Sequence, residues 1–244
     1  DLGAKIVWAD INPKTWTIDP DDIERKITDK TKAIVAVHLL GIPCDMKRIV
    51  AIARRHGIKV VEDCAQALDC RIDGQHVGTF GIWLLQLEGQ WPHNYSNGEA
   101  QCPLGSEQHK SVIQNNQILI EQDRKIREGL KDVPEITFPE IIDGGRYVVH
   151  QYILHFDGSA FGKDRNDLLD LLTQKYGVRC IVQYYPLYRY PLFQKLGMGE
   201  YDCPFLDKWW DNSFSLPWWC GIDDESLNIM IDSVKAAVAD LKNA

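Results

Sequence analysis

Two apolar runs, Ala33 to Val37 and Ile58 to Val61, flank a segment patterned as a helix, and this strand-helix-strand rhythm constrains the fold more than any other feature. Asp45 stands where a cap is needed, and Ile49, Val50, Ile52 and Ala53 fall on one stripe. Arg54-Arg55-His56 suits the negative end of the helix dipole, and Gly57 stops the helix. Strands joined this way lie parallel with a right-handed crossover. In open parallel sheets, ligands bind beyond the carboxyl ends of the strands. The second run gives way at that end to Glu62, Asp63 and Gln66. Asp63 is therefore expected at the carboxyl end of a central parallel strand, facing a cleft, where its carboxylate suits a charge-assisted hydrogen bond to a protonated ring nitrogen.

The rhythm extends in both directions. Lys5 to Ala9 is strand-like, and Asp19-Pro20-Asp21-Asp22 announces a helix ending near Thr28. Ala33 to Val37 reads as a buried strand. From Gly105 to about Val133 the pattern is helical, with Val112, Ile113, Ile118, Leu119 and Ile126 as its apolar positions. A second unit follows: strand-like Tyr147 to Phe156, helix Asp164 to Tyr176 stopped by Gly177, strand Val178 to Gln183, and a closing amphipathic helix from Ser226 to Leu241. The aromatic group Trp209, Trp210, Phe214, Trp218 and Trp219 is expected to pack in a core or a dimer interface rather than form a stacking platform.

A net charge of -8 with no basic stretch gives no footprint for nucleic acid. No apolar run approaches the roughly 18 residues of a membrane span, so a cytoplasmic protein is expected. The seven cysteines include no Cys-x-x-Cys pair, which argues for reduced thiols and against a metal site.

In order along the chain stand Gly3-Ala4-Lys5-Ile6-Val7-Trp8-Ala9-Asp10-Ile11-Asn12-Pro13, Ile18-Asp19-Pro20, Val37-His38-Leu39-Leu40-Gly41, Asp45-Met46 and Asp63-Cys64-Ala65-Gln66-Ala67. Together they resemble the DegT/DnrJ/StrS family of pyridoxal-phosphate (PLP) dependent aminotransferases, which act on nucleotide-linked keto-sugars and cyclitols. The resemblance implies an α/β fold of the aspartate-aminotransferase type. A large domain over 1–130, with a central mostly parallel sheet, would be followed by a small α+β carboxy-terminal domain over 131–244. It also implies that Asp63 meets the pyridine nitrogen of PLP and that Gln66 lies by the ring.

The same resemblance exposes a loss. A transaminase holds PLP through a lysine amine, yet no lysine occurs between Lys59 and Lys110. Aligned through Gly98-Glu99, the family's lysine position falls on His93; aligned through Glu88-Gly89, it falls on Gln90. Where the family has a phosphate-binding serine, the first register has Glu88 and the second Leu85, and a carboxylate disfavours phosphate. Lys110 is expected to begin a helix leading away from the cleft.

Three readings follow from the resemblance. The first is a degenerate member that does not transaminate alone, holds PLP noncovalently at most, and acts in a homodimer or beside a complete homologue. The second is a PLP-dependent keto-sugar 3-dehydratase with His93 as acid and base. The third is an ordinary sugar aminotransferase with segments missing from this sequence.

Overall fold

In the computed structural model, residues 3–81, 83–85 and 101–243 are described. The first helix, α1 (Pro20–Lys26), starts where Asp19 accepts a hydrogen bond from the Asp21 amide and a proline occupies the first turn, where its missing N–H costs nothing. After β1 (Ala33–Val37), Asp45 caps α2 (Met46–His56) through the Arg48 amide at 3.1 Å, and Gly57 ends it at φ +66°. The chain continues through β2 (Lys59–Asp63), the short antiparallel pair β3 (Arg71–Ile72) and β4 (Gln75–His76), and β5 (Trp83–Leu85).

β1, β2 and β5 form one parallel sheet with β2 in its centre, and Val37 and Leu85 flank Asp63 in register. Side chains alternate across a strand, so the two faces differ. Ile34, Ala36 and Val60 turn towards α2 and pack with Met46, Ile49, Ile52 and Ala53. On the other face Val35 and Val37 stay 51% and 38% exposed. Ala33 to Val37, expected to be buried, is thus buried only at every second residue.

The long helix α3 (Gln101–Leu130) leads to β6 (Ile136–Thr137), to β7 (Gly145–Arg146), which pairs back onto β3, and to β8 (Ile153–Phe156). Then come α4 (Arg165–Gln174), α5 (Pro191–Lys195), α6 (Pro204–Asn212), β9 (Ser213–Ser215) and α7 (Asp224–Lys242). β6, β8 and β9 form an antiparallel sheet. Its core gathers Ile126 and Leu130 of α3, Leu154 and Phe156 of β8, Leu168 and Leu172 of α4, and Leu227 and Val234 of α7.

Several expectations need correction. Lys5 to Ala9 forms no ladder among the described residues: Ile6 and Val7 are exposed, and the segment is anchored instead by the Trp8 indole donating to the Met198 carbonyl at 2.6 Å. Among the described residues, Val178 to Gln183 contributes one antiparallel bridge, Ile181 to Ser215 of the three-residue β9. Tyr147 to Phe156 is a strand only over Ile153–Phe156. α3 begins at Gln101, so Lys110 lies within it. Ile113 and Ile118 stay exposed; among the described residues of α3, those from Leu119 on pack against the second core.

Of the aromatic group, Trp209 and Phe214 are buried, Trp210 and Trp218 are half-buried, and Trp219 is exposed. Cys44, Cys64, Cys70 and Cys203 are buried free thiols, as small core residues would be. Among the described residues, no helix is long and apolar enough to cross a membrane.

Candidate active site

Glu62 and Asp63 are neighbours in sequence, and the strand extends far enough to include both. The pleat therefore sends them to opposite faces. Glu62 is fully buried, and its carboxylate accepts four hydrogen bonds: from the amides of Phe80 (2.8 Å), Gly81 (2.5 Å) and Gly78 (2.7 Å), and from His38 Nε2 (3.2 Å). The Nδ1 of His38 accepts from the Cys44 amide at 3.1 Å, which places the imidazole proton on Nε2, facing Glu62. Burial pushes the Glu62 carboxyl up, but His38 and the Gly78 and Gly81 amides outweigh it and hold the group below its usual range. A Cβ at Gly81 would meet the Val60 carbonyl at 2.7 Å, so only glycine lets this loop close on Glu62.

His38, Glu62 and Cys64 bring three potential metal-ligating atoms within 4.8 Å of one another. Their donors are committed elsewhere. The free imidazole lone pair serves Cys44, the carboxylate is saturated, and burial followed by the charges of Glu62 and Asp63 pushes the Cys64 thiol up to about 12. With the imidazole lone pair and all four carboxylate positions already bonded within the protein, this triad is a structural cluster.

Asp63 faces the open side of the sheet and is half-buried. Its main-chain carbonyl accepts from the His38 amide at 3.0 Å, and Oδ1 accepts from the Ala65 amide at 3.0 Å. The second carboxylate oxygen has no partner among the described residues. One turn on, Gln66 uses both ends of its amide: Oε1 accepts from the Leu40 amide at 2.7 Å, and Nε2 donates to the Tyr184 hydroxyl at 2.9 Å. The loop that presents Leu40 is clamped. Leu40 sits at φ +61°, Val148 N donates to the Gly41 carbonyl at 2.9 Å, and a Cβ at Gly41 would strike the Val148 carbonyl at 1.9 Å. Tyr184 thus reaches from the second half of the chain to the sheet edge that carries Asp63.

The structure places Asp63 at the carboxyl end of β2 and Gln66 three residues on, where it binds Leu40 and Tyr184. His93, with Gln90 and Glu88, lies outside the described residues. Tyr184 escaped the sequence reading because its contact spans 118 positions. Glu62 escaped because the strand was read as ending at Val61, whereas strand alternation carried to Asp63 separates it from its neighbour.

For PLP, the donor set fits at one end only. A half-buried carboxylate with one oxygen unpartnered among the described residues, at the carboxyl edge of a parallel strand, suits a protonated ring nitrogen. At the aldehyde end, no lysine lies between residues 60 and 109.

The sequence profile of the DegT/DnrJ/EryC1/StrS aminotransferase family matches residues 1–84 and 90–235. The chain is 27% identical over 288 positions to the spore coat polysaccharide biosynthesis protein SpsC of Bacillus subtilis (strain 168), covering 97% of this chain and 74% of that protein. It is 49% identical over 79 residues to the GDP-perosamine synthase of Escherichia coli O157:H7, covering 32% of this chain and 22% of that enzyme. Among solved structures, an aminotransferase from Psychrobacter cryohalolentis superposes with a TM-score of 0.86 at 20% identity, covering 98% of this chain and 77% of that one. The SpsC alignment spans more positions than this chain has residues, so that relative carries segments inside the matched span that are missing here.

Proposed function

The chain belongs to the DegT/DnrJ/EryC1/StrS aminotransferase family, and from that premise we propose that it is a degenerate member. In this reading it keeps the ring-nitrogen end of a PLP site, does not transaminate by itself, and serves as a dimer partner in the biosynthesis of sugars or sugar-containing natural products. The observation that carries the reading is a contrast within one site: Asp63 is poised at the carboxyl edge with one oxygen unpartnered among the described residues, while no lysine occurs between residues 60 and 109. PLP, when bound, supplies an electron sink for carbanion charge. The chain's own residues have narrower tasks. Asp63 would hold the proton on the ring nitrogen, and Gln66, fixed by Leu40 and Tyr184, would stand beside the ring.

The test is an absorbance spectrum of the purified protein with added PLP, followed by borohydride and mass spectrometry of the chain. The proposal expects free-cofactor absorbance and an unmodified chain. A band that survives dialysis and is reduced onto a lysine would restore the ordinary aminotransferase. Dehydration of a keto-sugar, lost in His93→Ala, would establish the dehydratase instead. Light scattering is expected to show a dimer, or a monomer that pairs when a complete homologue is added.

A further inference from the structure

Beneath the Leu40 to Ile42 loop, between α3 and the segment 147–153, lies a cavity of about 20 Å3 whose polar lining is Asp123, Arg127, Tyr147, Gln151 and Tyr152. Asp123 is 2% exposed, and its two oxygens receive Arg127 Nε at 2.9 Å and the Tyr147 hydroxyl. Arg127 also donates to the Pro139 carbonyl at 3.3 Å and lies 4.8 Å over the Phe138 ring. This pair is internally neutral and well bonded. The atoms beside it are not: the Tyr152 hydroxyl, on a residue 3% exposed, and Gln151 Oε1 have no hydrogen-bond partner although both are shut off from solvent. Tyr152 lies close enough to the Asp123 carboxylate that burial, that charge and their contact hold its phenol proton well above the usual range, yet the two form no hydrogen bond of good geometry.

Buried polar atoms are almost always paired, and leaving one orphaned destabilises the fold. Two orphans line one cavity here, and its volume exceeds the roughly 10–15 Å3 that a water needs. We propose that the cavity binds a single water molecule, which accepts from the Tyr152 hydroxyl and donates to Gln151 Oε1 and to the Asp123 carboxylate. A cation is disfavoured because Arg127 already neutralises Asp123, and an organic ligand has no room. The site has a structural consequence for the sheet edge. Leu40 lines the same cavity, its carbonyl accepts from the His150 amide at 3.2 Å, and its own amide fixes Gln66. The water is thus part of the floor on which the candidate active site rests.

A crystal structure of the full chain at a resolution that reveals ordered solvent tests this directly. The expected result is one density peak within about 2.6–3.2 Å of the Tyr152 oxygen, of Gln151 and of Asp123. An empty cavity, or a Tyr152 hydroxyl bonded straight to Asp123, would overturn the proposal. So would a peak with contacts near 2.4 Å in octahedral array, since that is a metal ion. In solution, magnetic relaxation dispersion of water should report one fewer long-lived water in the double variant Tyr152→Phe/Gln151→Leu than in the wild type; an unchanged count would contradict it.

Discussion

The two faces of β2 hold consecutive carboxylates in opposite states. On the α2 side, Glu62 is fully buried and bonded to three amides and one imidazole. On the open side, Asp63 is half-buried, bonded to one amide through its side chain, and left with one oxygen unpartnered among the described residues. The difference teaches that the acid most tightly held is the one least available for chemistry. A saturated carboxylate organises backbone; an unsaturated one at a strand's carboxyl end can still receive a ligand's N–H. Charge and position in sequence are nearly the same for both, so the pleat alone assigns the roles.

The sharpest way to break this comparison is to remove the saturated acid. Glu62→Ala strips partners from the Gly78, Phe80 and Gly81 amides and from His38, and should destabilise the fold by about 3–5 kcal/mol in urea titration. A loss under 1 kcal/mol would mean that the loop does not depend on Glu62. Next in size is Gly41→Ala. The residue sits at φ +82° with the Val148 carbonyl 1.9 Å from the added carbon, so the backbone conformation alone should cost about 1–3 kcal/mol, with displacement of Val148 on top. Unchanged thermal unfolding would show that the Leu40 loop is not clamped.

The pH dependence separates the faces without changing their shape. The folded Glu62 carboxyl titrates below its unfolded value of 4.5, so its contribution is present above that pH and lost as pH falls through the folded value. Wild type should therefore lose stability on acidification below about pH 4.5 more steeply than Glu62→Gln, and the gap between them should narrow. A gap that widens in acid would have the wrong sign for this account.

Much of this frame was legible in the sequence. Asp19, Pro20, Asp45 and Gly57 carry local chemistry that fixes helix ends, and the structure has α1 and α2 where those residues put them. The parallel pairing of β1 with β2 followed from the helix between them. What was not legible depends on neighbours. Lys5 to Ala9 has strand composition but, among the described residues, no strand beside it, and Ile113 and Ile118 hold apolar positions on α3 but stay exposed. Of the site, Asp63 and Gln66 could be named from a short motif and a sheet rule. The Tyr184 contact and the burial of Glu62 required the folded chain, since one spans the two halves and the other depends on where the strand stops.

The measurement that tests the central claim most directly is PLP binding by equilibrium dialysis to wild type and Asp63→Asn, with urea stability measured on the same samples. The account predicts stability within about 0.5 kcal/mol, because the asparagine carbonyl can still accept from Ala65. It also predicts binding weakened roughly ten- to a hundredfold through loss of the charged hydrogen bond. Equal PLP affinity for the two proteins, or no PLP bound by wild type at millimolar cofactor, would contradict the claim that Asp63 preserves the ring-nitrogen end of the site.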